Sequence, residues 1–436
     1  TTTSTTAAVT TTTIALPTPT PIEATPPSLL MTWEATSPPS LADGNPVSLV
    51  AGGPGLIAVG SADDDYYGDG AAWVSSDGLA WTRVPDDAGV FGGQHDYGLH
   101  DGAQWLSDVI AWNGGFVAVG GDGRGSDSPE CEAAVWLSPD GVTWTRVPDQ
   151  EALGGPGGQA MTAVTLGGPG LVAVGESNET VFDPHAAVWL SADGVTWARV
   201  DPTAIEGEGT VAGVGTGAVM TDVIQGAPGL IAVGIVDPYG HQKLPAVWVS
   251  SDGSTWDQIL LEPGVSGDTR ASIPNAIAAG PHGFVAVGEM SEGLVQGNDA
   301  YGQADFGYAA VWMSEDGIDW RLAAVLDAGT MDEPADCKYQ AQANDAVWYG
   351  DTLLVTGNLT TTCQTENAYA TIWATADLGE TWHLVAKDSV GPAPGPTGVY
   401  FGGLGVMRDV EVLGSQVVAV GAIESGMAWL GQWQTE

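Results

Sequence analysis

An acidic loop near the start of the chain carries side chains that could bind a metal ion. From position 63 the sequence reads Asp-Asp-Asp-Tyr-Tyr-Gly-Asp-Gly, which sets hard oxygen ligands beside flexible glycines. Calcium is bound by several such oxygens in a flexible loop. The complete calcium-loop pattern is absent, so two interpretations stay open: a calcium site formed by Asp63, Asp64, Asp65 and Asp69, or a solvated acidic loop. Calcium is the one cofactor that the sequence suggests.

A second group of carboxylates recurs at one position of an internal repeat. Aligned without gaps, the repeats place the following residues near the start of their first strand: Ser48, Asp108, Ala163, Asp222, Ala276, Asp345 and Asp409. Four carboxylates at the mouth of a central channel could hold a cation or a polar substrate. They could instead bind neighbouring backbone amides or channel water, and we favour this second interpretation.

The elements that must position these residues are short repeated strands. An apolar run ending in Val-Gly or Thr-Gly, a variable loop and a Trp-containing run recur with a period of 54 to 69 residues. The third unit shows four strand candidates, at 161–166, 171–174, 186–190 and 196–200. The second of these is apolar at every position, as expected of a strand covered on both faces. Four strands per unit predict one blade of a β-propeller.

A fixed turn joins the third and fourth strand of each unit. Five copies read Ser-x-Asp-Gly-x-x-Trp, in which Ser and Asp can accept backbone N–H bonds and Gly can take a positive φ. The sixth copy, from Thr375 to Trp382, has the longer form Thr-Ala-Asp-Leu-Gly-Glu-Thr-Trp. This copy resembles the Asp-box motif of sialidase-like repeat propellers, and the other five look like one-residue deletions of it. The resemblance spans residues 29–436 and implies fold more than activity, because Asp boxes lie away from the catalytic face in that family.

The number of units predicts how the ring closes. The seventh unit has three strand candidates and then ends at Glu436, whereas an isolated strand with Thr-Trp lies at 30–34. We therefore predict an all-β, seven-bladed β-propeller over residues 29–436, with the ring closed by an N-terminal strand that completes the last blade.

The first 28 residues have the composition of an exported stalk. They hold 12 Thr and 5 Pro, and the first residue is Thr instead of Met, so removal of a targeting peptide is expected. The part from Thr5 to Leu16 is β-prone. One interpretation makes it an arm that adds a strand to a neighbouring copy through Val9, Ile14 and Leu16, which would propagate into a fibre. The other makes it a disordered, glycosylated stalk.

Cysteines and sequons also fit an extracellular location. Cys337 and Cys363 are predicted to lie on the same face of the sixth blade, where a disulfide could join them in an oxidising compartment, and Cys131 is left over. Asn178 and Asn358 begin two glycosylation sequons in predicted loops between second and third strands.

Charge and hydropathy exclude two classes of partner. The chain holds 54 acidic and 10 basic residues, for a formal charge of −44, which repels nucleic acid and anionic membranes. It has no apolar run long enough to cross a membrane, so membrane insertion is not expected.

The number and positions of the arginines bear on the sialidase activity that the resemblance implies. That family binds its substrate carboxylate with three Arg, but four of the seven Arg here fall on predicted outer strands, where packing over Trp and pairing with acids is expected: Arg83, Arg146, Arg199 and Arg321. Only Arg124, Arg270 and Arg408 remain, and the Arg-Ile-Pro segment typical of the family is absent. Sialidase activity is therefore disfavoured.

Three functions stay open after these exclusions. The sequence favours a non-enzymatic extracellular structural or adhesive surface protein, self-assembling through residues 1–28. The alternative is a glycan-binding or glycoside-cleaving propeller with tyrosines as sugar platforms on the face of the long loops: Tyr97, Tyr301, Tyr308 and Tyr400. The third is a cation-binding scaffold.

Overall fold

The computed structural model is an all-β ring of seven small sheets, which confirms the predicted seven-bladed β-propeller. It describes residues 19–26, 29, 31–53, 55–62, 69–92, 103–123, 131–155, 157–178, 184–205, 217–236, 244–261, 270–292, 306–326, 339–361, 368–386, 406–423 and 425–433. Two strands precede the first blade: β1 (Ile22–Glu23) and β2 (Met31–Thr36).

Each blade is an antiparallel sheet whose first strand lines the central channel. Blade 1 consists of β3 (Gly44–Gly52), β4 (Gly55–Ala62), β5 (Gly70–Ser75) and β6 (Trp81–Arg83). Blade 2 consists of β7 (Gln104–Trp112), β8 (Gly115–Asp122), β9 (Glu132–Ser138) and β10 (Thr145–Arg146). Blade 3 consists of β11 (Gly158–Gly167), β12 (Gly170–Asn178), β13 (Pro184–Ser191) and β14 (Trp197–Arg199).

The remaining blades follow the same order. Blade 4 consists of β15 (Ala218–Gln225), β16 (Leu230–Val236), β17 (Leu244–Ser250) and β18 (Asp257–Leu260), and blade 5 of β19 (Arg270–Gly280), β20 (Gly283–Glu292), β21 (Phe306–Ser314) and β22 (Arg321–Leu326). Blade 6 consists of β23 (Tyr339–Tyr349), β24 (Thr352–Thr361), β25 (Ala368–Thr375) and β26 (Trp382–Ala386). Blade 7 contains β27 (Val406–Leu413), β28 (Gln416–Ile423) and β29 (Ser425–Trp433).

Helices are short and lie between blades. The chain forms α1 (Pro39–Ala42), α2 (Ala88–Phe91) and a 3-10 turn at Pro202–Ala204. Among the residues that the structure describes, no helix reaches the length and hydropathy needed to cross a lipid bilayer.

Blade 7 is completed by the N-terminal strand, as the sequence predicts. Strand β2 pairs antiparallel with β29, with Trp33 opposite Gly431 and Glu34 opposite Leu430. The Trp33 indole lies so close to Gly431 that a Cβ there would meet it at 2.6 Å. Strands from near both ends of the chain therefore share one sheet, in which β2 covers the outer edge of β29.

A segment of the predicted tail also docks on the ring to which it belongs. Strand β1 pairs in parallel with β26, as a fifth strand at the outer edge of blade 6. The Thr20 amide donates to the Val325 carbonyl (2.8 Å) in blade 5, and the Thr25 hydroxyl donates to the Leu384 carbonyl (3.1 Å). Residues 19–26, here called the strap, belong to the tail that the sequence analysis places at residues 1–28. The assembly residues Val9, Ile14 and Leu16 lie outside the described residues.

The core consists of apolar layers between successive blades. Second strands such as β12 are buried on both faces, with Leu171, Val172, Ala173 and Val174 fully covered. The tryptophan of each third strand is also buried, at 0–1% exposure: Trp73, Trp136, Trp189, Trp248, Trp312, Trp373 and Trp429. In Trp189 the indole N–H donates to the Ala152 carbonyl (2.7 Å), which ties the ring to the connection from blade 2 into blade 3. Large repeated anchors of this kind hold neighbouring blades together.

A β-bulge in every first strand explains a glycine that recurs within the second strand. The pairing register shifts by one residue in all seven blades, for example between Met161 and Ala163. Opposite this bulge lies Gly175, where a Cβ would sit 2.1 Å from the Ala160 carbonyl oxygen. The equivalent distances in the other blades are 1.9–2.1 Å. No side chain fits there, so the repeated Val-Gly is a requirement of backbone approach.

Candidate functional site

The Asp of each turn binds its own backbone. In blade 3, Asp193 Oδ1 accepts hydrogen bonds from the Val195 amide (2.9 Å) and the Thr196 amide (2.6 Å). These bonds hold the pKa of Asp193 below its usual range, with the Thr196 amide as the largest cause. The indole of Trp197 donates to the Gly194 carbonyl (3.1 Å) and closes the turn. The turn carboxylates therefore have a structural role.

Carboxylates of the channel bridge from one blade to the next. Each lies directly after the bulge of its first strand and accepts a bond from the following blade: Asp108 from the Val164 amide (2.8 Å), Asp222 from Ile277 (2.8 Å), Asp345 from Val410 (2.9 Å) and Asp409 from Leu49 (2.6 Å). This is the backbone-binding role that the sequence analysis favours. The bond from Asp409 joins blade 7 to blade 1 and so spans the closure of the ring.

Burial makes these four carboxyls weak acids. Desolvation raises the pKa of Asp108 to about 6 and that of Asp222 to about 7. It also raises the pKa of Asp345 well above its usual range, and the adjacent Asp409 charge adds to the effect. Desolvation likewise raises the pKa of Asp409, although hydrogen bonds from Asp345 and the Leu49 amide oppose it. Two residues after Asp409 on β27, burial raises the pKa of Glu411 to about 7.

No metal site is formed by the described part of the chain. No group of three or more His, Cys, Asp or Glu side chains is placed there to hold an ion. Asp63, Asp64 and Asp65 lie outside the described residues, and the backbone carbonyl of Asp69 accepts a bond from the Ala62 amide (2.6 Å). The calcium loop stays a prediction.

The structure adds a pocket that the sequence analysis missed. It lies between blades 5 and 6 on the face of the fixed turns, here called the turn face, and it has a volume of about 400 Å³. Six side chains give it its chemistry: Trp320, Trp348, Arg321, His282, Glu315 and Asp319. Such a volume is within the range of pockets that hold small-molecule ligands.

Two indoles give the pocket its apolar surface. Trp320 is the turn tryptophan of blade 5 and is half-buried, whereas the other five turn tryptophans are 0–6% exposed. Its N–H donates to the Gly317 carbonyl (3.0 Å), so the ring is fixed in place. Trp348 lies over Gly280, where a Cβ would meet the indole at 2.4 Å, and over the His282 ring with centroids 5.8 Å apart. Both rings are therefore pre-positioned before any ligand binds.

Polar groups of the pocket have few internal partners. The Arg321 guanidinium has hydrogen-bond contacts with the Leu378 carbonyl at 3.5 Å and the Met313 sulfur at 4.0 Å, and no carboxylate among the described residues pairs with it. By contrast, Arg146 pairs with Asp122 and Asp149 at 2.6 Å, and Arg199 lies over Trp189 at 6.0 Å. The expectation that outer-strand arginines pack over Trp and pair with acids is therefore wrong for Arg321, which lines the pocket instead.

A comparison of the repeats with one another could have found this pocket. Glu315 stands where the other turns have Ser, Pro or Ala, and Asp319 stands where four of the other five have Thr. Trp348 stands where the other first strands have Ala, Leu, Gln or Val. Residues at which one unit departs from the rest thus meet in one place. Their sequence separation hides this, because they come from two blades.

Other predicted sites are buried or lie outside the description. Asn178 ends β12 and Asn358 lies within β24, and the two residues are 3% and 8% exposed. Their predicted placement in loops is therefore wrong, whereas glycosylation at these sequons stays a prediction. Cys337 and Cys363 lie outside the described residues. Cys131 is a buried free thiol, and desolvation raises its pKa to about 12.

The predicted sugar platforms are mostly outside the description as well. Tyr97, Tyr301 and Tyr400 are not described, and Tyr308 lies in β21 with a half-buried side chain. Only one of the four proposed tyrosines lies in the described part of the chain, so the tyrosine platform stays a prediction.

No family model and no curated protein matches the chain. Among solved structures it is similar to a protein of unknown function from Dyadobacter fermentans, with 16% identity and a TM-score of 0.46 over 76% of this chain and 95% of that one. It is also similar to a mutant Trypanosoma rangeli sialidase displaying trans-sialidase activity, with 15% identity and a TM-score of 0.43 over 74% of this chain and 53% of that one. A third similar structure is Penicillium chrysogenum alpha-L-arabinanase complexed with arabinobiose, with 13% identity and a TM-score of 0.45 over 91% of this chain and 95% of that one. At these identities and TM-scores, no residue role passes to this chain.

Proposed function

We propose that this chain is a non-enzymatic, glycan-binding β-propeller that acts as an extracellular adhesive module. The observation that carries the proposal is the pocket between blades 5 and 6, where two pre-positioned indoles lie beside Arg321, Glu315 and Asp319. The channel carboxylates are the other candidate site, but their oxygens bind backbone amides across blades.

Sugar rings suit a pocket of this composition. Their C–H faces are apolar and pack on indole rings, while their hydroxyls both donate and accept hydrogen bonds. Trp320 and Trp348 supply the apolar surface, Arg321 supplies N–H donors, and the carboxylates supply acceptors. Because no main-chain movement is needed to expose these groups, binding should cost little ordering entropy.

Screening on an array of glycans followed by calorimetry tests this function. We expect the wild-type protein to bind at least one class of saccharide, and Trp348→Ala to weaken that binding by about tenfold or more because a stacking surface is lost. Gln225→Ala is the matched control, since Gln225 occupies the equivalent exposed position of blade 4. A wild-type protein that binds no saccharide, or a Trp348→Ala protein that binds as tightly as the control, would refute the proposal.

Self-assembly through the N-terminal arm is a second candidate. Residues 19–26 are held on blades 5 and 6, so residues 1–18 start from a fixed point on the rim of the ring. Deleting residues 1–18 should abolish assembly if the arm docks on a neighbouring copy, and particle size by light scattering measures this. Unchanged size would exclude that role for the arm.

A further inference from the structure

The turn of blade 5 lacks a hydrogen-bond donor that three of the other five turns use. In three other turns a Thr hydroxyl donates to the second carboxylate oxygen of the turn Asp: Thr143 to Asp140 (3.2 Å), Thr196 to Asp193 (3.1 Å) and Thr381 to Asp377 (2.5 Å). Blade 5 has Asp319 at this position, and Asp316 keeps only the bonds to Oδ1, from Ser314, Ile318 and Asp319. Asp316 Oδ2 therefore receives no such bond from the described residues.

Carboxylates outnumber cations around this oxygen. Glu315, Asp316 and Asp319 line the pocket, against the single guanidinium of Arg321. The fifth titratable group, His282, lies 3.3 Å from the exposed carboxylate of Asp351. Since the whole chain carries a formal charge of −44, the field around the pocket adds to this negative potential.

We infer that the pocket selects saccharides that carry a protonated amine and discriminates against acidic sugars, because an ammonium can bind between Asp316 and Asp319 while its ring packs on the indoles. This inference rests on the proposed glycan binding and narrows its ligand class. An ammonium supplies three N–H donors, and charge-assisted bonds to carboxylates are the strong ones. It would take the place that a Thr hydroxyl occupies in three of the other turns. A uronic acid would instead bring a like charge beside three carboxylates, with only Arg321 to compensate.

Calorimetry with three short oligosaccharides tests the inference at a pH where the amine is protonated. The probes are oligomers of glucosamine, of N-acetylglucosamine and of galacturonic acid. We expect the glucosamine oligomer to bind about tenfold more tightly than the N-acetylated one, which is the factor that one charge-assisted hydrogen bond contributes. The difference should shrink at high salt, since screening weakens interactions between exposed charges. The galacturonic acid oligomer should bind most weakly.

Asp319→Thr is the variant that isolates the ammonium site. It restores the residue found in four other turns, so the hydroxyl can donate to Asp316 and the turn should fold. We expect it to lose the preference for the amine: the glucosamine oligomer should lose about tenfold more affinity than the N-acetylated oligomer, so that the two bind about equally. Asp257→Thr is the control, because it removes one exposed carboxylate from the neighbouring blade on the same face and should leave the preference intact.

The outcomes separate this inference from the proposed function. Equal binding of the amino and N-acetylated oligomers, tighter binding of the uronic acid, or a preference that survives in Asp319→Thr would overturn the inference and leave glycan binding standing. Absence of binding to every saccharide, including those of the array, would remove the proposed function and the inference with it.

Discussion

Asp108, Asp222, Asp345 and Asp409 show how a polar residue can be retained in a repeat without serving a ligand. Each side chain accepts a hydrogen bond from a backbone amide of the next blade, so it links two blades, and we call these four carboxylates the clips. Burial beside the channel raises the pKa of all four, which links the clips to pH. Their spacing in the sequence predicted a common position, but the partner amide lies in another repeat and has no sequence signal.

Stability should rise as pH falls from about 7 to about 4. Unfolded aspartate has a pKa of about 3.9, whereas those of folded Asp108 and Asp222 are about 6 and about 7. Between these pKa values the folded state binds more protons than the unfolded state. The stability that Asp108 and Asp222 contribute is therefore fully present below about pH 4 and is lost as the pH rises through 6 and 7. We expect about 1 kcal/mol per group after allowance for channel water. Thermal melts across this range measure the effect.

A variant separates the clips from general charge repulsion. Asp222→Asn cannot titrate and should make the pH dependence shallower between pH 4 and pH 7. Asp257→Asn removes one exposed acid from the same blade and should leave it almost unchanged. If both variants had the slope of the wild type, the clips would not be its cause.

At the scale of elements, the bulge of the first strand and the glycine opposite it form one unit. The Gly175 Cα approaches the Ala160 carbonyl so closely that an added Cβ would lie 2.1 Å from the oxygen. The bulge places the clip Asp of other blades at the channel, and it requires Gly in the partner strand. This close contact explains why Val-Gly is repeated in the sequence.

Gly175→Ala should destabilise the protein by about 3 kcal/mol, because the backbone of β11 or β12 must move to relieve the overlap. Gly414→Ala is the control: Gly414 has a positive φ (64°), but no atom lies within 4 Å of the place that an added Cβ would take. The free energy of unfolding of the control should therefore fall by only about 1 kcal/mol, which is the cost of a left-handed alanine. Chemical denaturation measures both. Equal losses in the two variants would show that the close approach at Gly175 adds no cost of its own.

The strap illustrates an element that the sequence could not predict. A two-residue parallel pairing has no hydrophobic period, and its contacts with Val325, Trp382 and Leu384 are remote in sequence. The repeated strands, by contrast, were predictable because their patterns recur in register and because each blade must bury both faces of its second strand.

Removal of the strap should loosen the outer edge of blade 6. A chain lacking residues 1–26 exposes β26 and the apolar surface that Ile22 covers, which should cost about 1 to 2 kcal/mol. A chain lacking only residues 1–18 is the control and should keep wild-type stability. Hydrogen exchange of amides 382–384 reports the change directly. Equal exchange in both truncated chains would contradict the docking of the strap in its own ring.

At the scale of the whole molecule, the ring is a rigid frame that brings distant residues together on its turn face. Strand β2 completes blade 7, and Asp409 clips that blade to blade 1, so closure depends on both chain ends. Sequence alone predicted this closure from the missing fourth strand of the last unit. It did not predict the pocket, because His282, Trp320 and Trp348 meet only after blades 5 and 6 are placed side by side.

A crystal structure of the protein soaked with the saccharide that binds best on the array tests the central claim most directly. Glycan recognition at the turn face predicts a sugar ring packed on Trp320 and Trp348, with polar contacts to Arg321 and Asp319. A sugar bound instead at the opposite face, beside the channel mouth, with the pocket empty would contradict it.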